Sequence, residues 1–357
     1  MPSSSGLADA SNAAFVITIV LYAVAMFGYA VEYAFGRREA KAAEHRQLAA
    51  VGAGGEFTVP GEYADKSADG AFESHLSIEL DEDDSDEDED DSRPQQPGVT
   101  SKQALAAGRI GFVAMVLAAV AHTASLGLRA AAVGRWPWGN MFEFIVAVAL
   151  VGVIVWIVLV GRGTVSRRLG LFTMLAVVLL LGSATRVYTD AAPLVPALDS
   201  YWIAIHVFAA IIATGVFLVG FVAAVLHLLK RGYDRKTAAG QPIRFPFTIA
   251  QRLPLAEKLE KLTWRMHVLA FPLWTFGVIA GAIWAREAWS RYWGWDPKEV
   301  WAFIAWVVYA AYLHARNTGS TGRTLAPWIV IIGWAVMLFN LFGVNLVVNS
   351  LHSYAGV

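Results

Sequence analysis

The chain has no cysteine. Disulfides, thiol nucleophiles, thiolate metal sites and thiol–disulfide exchange are therefore outside its chemistry. Charge is also scarce. Charged residues make up 16% and apolar types 57%, against about 25% and about 45–50% in soluble proteins. This balance is that of a membrane protein, which rules out a nucleic-acid binder as the main reading. Acids are scarcest of all outside one segment. Eleven of the 29 fall between Glu79 and Asp91, and the rest of the chain sets 18 acids against 28 bases. The formal net charge of −1 thus hides a basic protein.

Long apolar runs are what the chain has in abundance. They fall near 13–35, 109–130, 141–160, 169–187, 201–229, 266–285, 298–315 and 325–348. A helix rising about 1.5 Å per residue needs about 20 residues to cross a hydrocarbon core of roughly 30 Å. Only helices or closed barrels satisfy their own backbone in lipid. The pattern therefore predicts an all-α, polytopic membrane bundle of about eight transmembrane helices. With the N-terminus outside, the short inner loops 161–168, 230–265 and 316–324 hold 14 Lys and Arg against six on the outer side. That bias orients the bundle with both termini external. No Lys or Arg precedes the first run, so it reads as an uncleaved span rather than a signal peptide.

Three regions follow. Residues 1–35 form an N-terminal transmembrane helix. Residues 36–104 form a cytoplasmic loop, basic at Arg37, Arg38 and Lys41, then Gly-rich, then acidic over 79–91. With few large apolar residues this loop is expected to be disordered. It reads as a solvated linker in preference to a tether for a partner. Residues 105–357 form the main membrane domain.

The segment 284–306, WAREAWSRYWGWDPKEVWAFIAW, holds six of the 14 Trp. Interfacial belts spread Trp over many helix ends. Concentration at one end of one helix pair instead suits a large, flat, apolar ligand. Asp296, Pro297, Lys298 and Glu299 then read as N-cap, N1, N2 and N3 of the next helix. Asp296 and Glu299 are either purely structural in that role or part of a site.

The string WGWDPKEVWAFIAWVVYAAYLHAR, preceded by AWSRYW, resembles the tryptophan-rich WWD signature of heme-handling membrane proteins. It is most similar to the CcsA/ResC proteins of cytochrome c biogenesis system II, and the WWD segment spans 284–301. SYWIAIHV at 200–207 and VNLVVNSLHSY at 344–354 extend the resemblance over roughly 105–357. One departure is Ser290, where the family often has Gly.

The resemblance implies roles for particular residues. His206, about two turns into the fifth span, and His352, just past the eighth, are implied as external axial ligands of a heme b iron. Trp289, Trp293, Trp295 and Asp296 frame that site. His314, about 25 Å below Pro297 along the helix, is implied in a deeper heme site near the cytoplasmic side. Its second ligand belongs to a CcsB/ResB-type partner, and the chain reads as an unfused subunit needing that partner. His122, inside the second span, is either a second deep ligand or, as the preferred reading, a hydrogen-bond partner of a neighbouring helix. Glu143, after WPWGN, either neutralises a base or lines the heme route. His227 and His267 read as boundary residues, and His45 and His75 as solvated.

The implied function is to receive heme from the cytoplasmic side and hold it by bis-His ligation. The heme is then presented for thioether attachment to apocytochrome c, within a cytochrome c synthase complex of the bacterial plasma membrane. Implied partners are CcsB/ResB, apocytochrome c and thiol-reducing proteins. A heme exporter without attachment activity and a proton-coupled carrier stay open as alternatives.

Overall fold

The computed structural model describes residues 4–36, 100–194, 198, 200–348 and 350–352. The acidic stretch 79–91, His45, His75 and the last five residues lie outside them. Residues 1–36 and 102–357 belong to one compact unit. Among the described residues the unit is wholly helical, with no strand.

Eight helices follow the eight apolar runs: α1 (Ser4–Phe35), α2 (Ser101–Val133), α3 (Met141–Gly161), α4 (Gly170–Thr185), α5 (Tyr201–Ala238), α6 (Ala256–Trp289), α7 (Pro297–Asn317) and α8 (Gly319–Val347). Most overshoot the apolar runs that predict them. Seven are long and apolar enough to cross a membrane. The exception is α7. Its 21 residues match the thickness of a hydrocarbon core, but Lys298, Glu299, His314 and Arg316 sit within them. The expected eight spans are thus seven by apolarity, with the WWD-bearing helix as the odd member.

The outer surface carries rows of exposed large apolar side chains, Val16, Val20 and Phe27 on α1 and Ile110, Val113, Leu117 and Val120 on α2 among them. In water such faces would drive aggregation, whereas in lipid they are the normal exterior. The chain is a multi-pass membrane protein.

Without a hydrophobic force between helices in lipid, close packing has to hold them. α5 is the central helix, packed along α6 and against α3, α4 and α8. Ala209, Ala210, Ala213 and Gly215 give it a small-residue surface that neighbours approach closely. α1 crosses α2 where a Cβ on Gly28 would lie 2.6 Å from the Ala107 carbonyl oxygen, so only glycine permits that approach. Polar contacts pin the same pair. Ser11 Oγ donates to Ser125 O at 2.8 Å, Ser125 Oγ donates to Ser11 O at 2.9 Å, and Tyr22 Oη lies 3.1 Å from His122 Nδ1. Such bonds average about 0.6 kcal/mol in membranes, so packing contributes more and the polar contacts set register. His122 therefore meets a neighbouring helix.

His267 departs from the boundary residue expected from the sequence. Helix α6 begins at Ala256, ten residues before the apolar run, so His267 lies three turns inside. It is fully buried against Phe217, Tyr309 and Tyr312.

Candidate ligand-binding site

Chain reversal between α6 and α7 builds the site. α6 ends at Trp289, and Ser290 takes φ 57°, the left-handed conformation common just past a helix C-terminus and cheapest for glycine. α7 restarts with a capping box: Lys298 N donates to Asp296 Oδ2 at 3.1 Å, and Asp296 N donates to Glu299 Oε2 at 3.0 Å.

The cap does more than start a helix. Asp296 is buried, and its carboxylate also accepts from Leu351 N at 2.7 Å and meets His352 Nδ1 at 3.0 Å. One residue thus ties the start of α7 to the segment beyond α8. Burial pushes the Asp296 carboxyl up, but the hydrogen bonds from His352, Leu351 and Lys298 and the His352 charge outweigh it. The carboxyl lies below its ordinary value. Asp296 is therefore an acceptor at neutral pH, and its carboxylate orients the His352 ring through Nδ1.

His206 is prepared in the same way from the other side. Its Nδ1 donates to Gly277 O at 2.7 Å, which leaves the lone pair of the neutral ring on Nε2. The ring lies against α6 because residue 281 is glycine. A Cβ there would come within 2.7 Å of both His206 Cε1 and Nδ1.

Trp284 links the two rings. It is 1% exposed, parallel to His206 at 6.4 Å between centroids and edge-on to His352 at 5.8 Å. Trp289 contacts both Trp284, at 4.8 Å, and His352, at 5.0 Å.

His206 and His352 line two adjoining cavities. The first, of about 130 Å³, is walled by Trp274, Trp284, Trp289 and Trp293 together with Lys298, Glu299 and Asn340. The second, of about 730 Å³, shares His206, Trp284, Lys298 and His352, and runs past Trp136, Trp138 and Tyr201. Ligand pockets typically span about 300–1,000 Å³, so the second alone has that size. Trp136 and Trp138 stack at 5.2 Å with planes 9° apart.

Glu143 does not line either cavity. It is fully buried and neutralises two bases: Arg129 Nε at 2.7 Å and Arg135 Nη1 at 2.7 Å, with Gly139 N donating to it at 2.7 Å. Arg129 reaches on to Thr189 O, and Arg135 to Ala192 O and Trp136 O. This clamp holds the loop that carries the Trp136–Trp138 stack over the second cavity. Of the two readings of Glu143 the geometry matches charge neutralisation.

The remaining candidates separate clearly. Trp295 takes φ 58° and is 71% exposed, touching Trp293 edge-on at 5.9 Å but lining neither cavity. His314 is exposed near the opposite end of α7 and lines neither cavity. The sequence pattern misses three contributors. Trp284 reads as one Trp among six, Lys298 as a plain N2 residue, and Asn340 as a polar interruption of an apolar run. Asn340 lies in a π turn, Phe339–Gly343, inside α8.

The profile of the cytochrome c assembly protein family matches residues 138–352, a stretch that contains His206, Trp284, Lys298, Asn340 and His352. The chain belongs to that family. The chain is also similar to proteins named cytochrome c biogenesis protein CcsA. That of Guillardia theta is 34% identical over 262 residues, 69% of this chain and 85% of the relative. That of Synechococcus elongatus is 34% identical over 288 residues, 69% and 87% respectively. That of Chlamydomonas reinhardtii is 33% identical over 227 residues, 62% and 61%. Within the family the chain is of the CcsA type, a membrane subunit of cytochrome c biogenesis.

Proposed function

We propose that this subunit holds heme b between His206 and His352 and presents it for covalent attachment to apocytochrome c. One observation carries the reading. Two histidines 146 residues apart reach the same cavities with Nδ1 already engaged, one by a carbonyl and one by a carboxylate. Histidine ligands of metals show this arrangement, because the second hydrogen bond sets the tautomer and makes the other nitrogen more basic. Trp284, Trp289 and Trp293 supply apolar, stacking surface for a porphyrin. The cavity composition therefore fits heme as a cargo.

In this reading heme arrives from the cytoplasmic side near His314, where a CcsB/ResB-type partner supplies the opposite ligand. Both termini and the Trp-rich end then face outward. A reporter active only outside the cytoplasm, fused after Val357, should be active, and cytoplasmic activity there would reverse the assignment.

At the outer end the chain orients and the substrates react. Each acceptor thiol adds across a heme vinyl group: a C–S bond forms at one vinyl carbon, and the thiol proton passes to the other. The step is redox-neutral, so it needs no oxidant, but it needs free thiols. This chain has no cysteine to keep them reduced, so thiol-reducing proteins supply that step. The acceptor's own histidine replaces one axial ligand as its thiols approach, and rate comes from proximity and orientation.

The purified chain, alone and with its partner, should show the spectrum of a low-spin bis-His b-type heme. A protein purified free of heme that gives no such spectrum on heme addition would end this reading.

A further inference from the structure

We propose that Lys298 and Asn340 form the anchor for a carboxylate of the cargo, so that the site selects a porphyrin bearing free acid groups. The proposal rests on the heme reading above and adds the group that sets the cargo's orientation.

Lys298 is in an unusual place. At N2 of α7 a cation opposes the helix dipole, which favours negative charge at that end. Helix stability therefore does not account for it. The side chain instead runs into the bundle and lines both cavities. Its Nζ donates one hydrogen bond, to Asn340 O at 2.8 Å. An ammonium has three donors. Among the described residues no ion pair uses the other two. Of the neighbouring carboxylates, Asp296 binds His352, Leu351 N and Lys298 N, and Glu299, which also lines the first cavity, accepts from Gly294 N and Asp296 N at Oε2.

The acceptor for that single bond is also out of the ordinary. The π turn at Phe339–Gly343 breaks the regular pattern of α8, and Asn340 O is turned to Lys298. π turns of this kind gather at functional positions. Asn340 itself is 5% exposed, and its Oδ1 has no hydrogen-bond partner. It lines the first cavity beside Lys298. A buried amide left unsatisfied is costly unless something completes it. Its NH₂ and C=O ends exchange by a half-turn, so the group presents a donor to an anion as readily as an acceptor.

The other base in these walls is not available. Arg135, in the second cavity, is held by Glu143, Ala192 O and Trp136 O. Lys298 is thus the cavity cation with donors to spare. The walls around it are aromatic and apolar, which strengthens a charge-assisted bond to a carboxylate. An apolar plate with an acidic edge satisfies both the Trp surface and this corner.

The test compares hemin with hemin dimethyl ester, in which both carboxylates are blocked. Each is titrated into the detergent-solubilised full chain, and binding is followed by the heme absorption band. The wild-type chain should bind hemin about tenfold or more tightly than the diester, the scale of a hydrogen bond to a charged group. Lys298→Met should bind both alike while keeping the bis-His spectrum. Lys298→Arg should keep most of the preference, and Asn340→Leu should reduce it by a few-fold. Equal binding of acid and ester by the wild type, with a bis-His spectrum in both, overturns the anchor and leaves the heme reading standing. Undiminished preference in Lys298→Met also overturns it. Absence of a bis-His spectrum with either porphyrin in the wild type ends the heme reading and the anchor together.

Discussion

Alanine at His206 or at His352 is expected to lower cytochrome c maturation on the order of a hundredfold, and added imidazole should restore part of it. Losing even a group that merely orients a metal ligand typically costs about 10–100-fold, so loss of the ligand itself belongs at the upper end. Imidazole fits because each substitution removes a ring whose Nδ1 is bonded to Gly277 O or to Asp296 Oδ2. The vacated volume and the acceptor both remain for the added ring. Alanine at Trp284 or Trp289 should also lower heme retention, but imidazole should not rescue it, because it replaces a nitrogen donor and not a stacking surface. His314→Ala should starve the His206–His352 site of heme without altering its ligand spectrum. The measurement is heme-stained cytochrome c per unit of membrane subunit, with and without imidazole. Equal rescue of the Trp and His variants, or no loss in either His variant, would remove the ligand assignment.

The second large effect concerns folding. Glu143→Ala should destabilise the bundle by about 3–5 kcal/mol, the usual cost of removing one partner from a buried ion pair. Arg129 is 3% exposed and Arg135 9%, so both guanidinium groups would lose their counter-charge out of reach of water. The clamp on Gly139, Thr189 and Ala192 would loosen with them. Thermal unfolding of the detergent-solubilised protein should show a clear drop in midpoint, along with reduced amounts in the membrane. Glu143→Gln keeps the shape and the bond to Gly139 but not the charge, so it should fall between the two. An unchanged midpoint in Glu143→Ala would mean that the clamp contributes no stability.

These expectations differ in how far the linear chain announces them. The helices were legible because hydrocarbon imposes one solution on the backbone. Eight apolar runs became eight helices, and α7 is the one whose composition falls short. The cap at Asp296 was legible for a similar reason, since Asp-Pro-x-Glu satisfies orphan N–H groups within a few residues. That Asp296 also accepts from Leu351 and His352 was not, because those donors sit 55 and 56 residues away.

The same division holds at the site. Clustering of Trp in one segment pointed to an aromatic ligand surface. Which Trp faces the ligand depends on backbone direction at two left-handed residues, Ser290 and Trp295, and on the packing of α6 against α5. Trp295 accordingly turns outward while Trp284 is buried between the two histidines. Glu143 had two possible roles in sequence because its two arginines are 8 and 14 residues away in other segments.

By itself the sequence determined the helical membrane bundle, the capped start of α7 and the kinship carried by the Trp-rich segment. Those features follow from local composition and from the demand that lipid makes on every backbone group. The tertiary structure alone decided that His206 and His352 share two cavities, what each Nδ1 is bonded to, and that Lys298 points inward against the dipole of its own helix. These depend on which helices become neighbours, and small-residue packing between apolar surfaces settles that without a mark in any single segment.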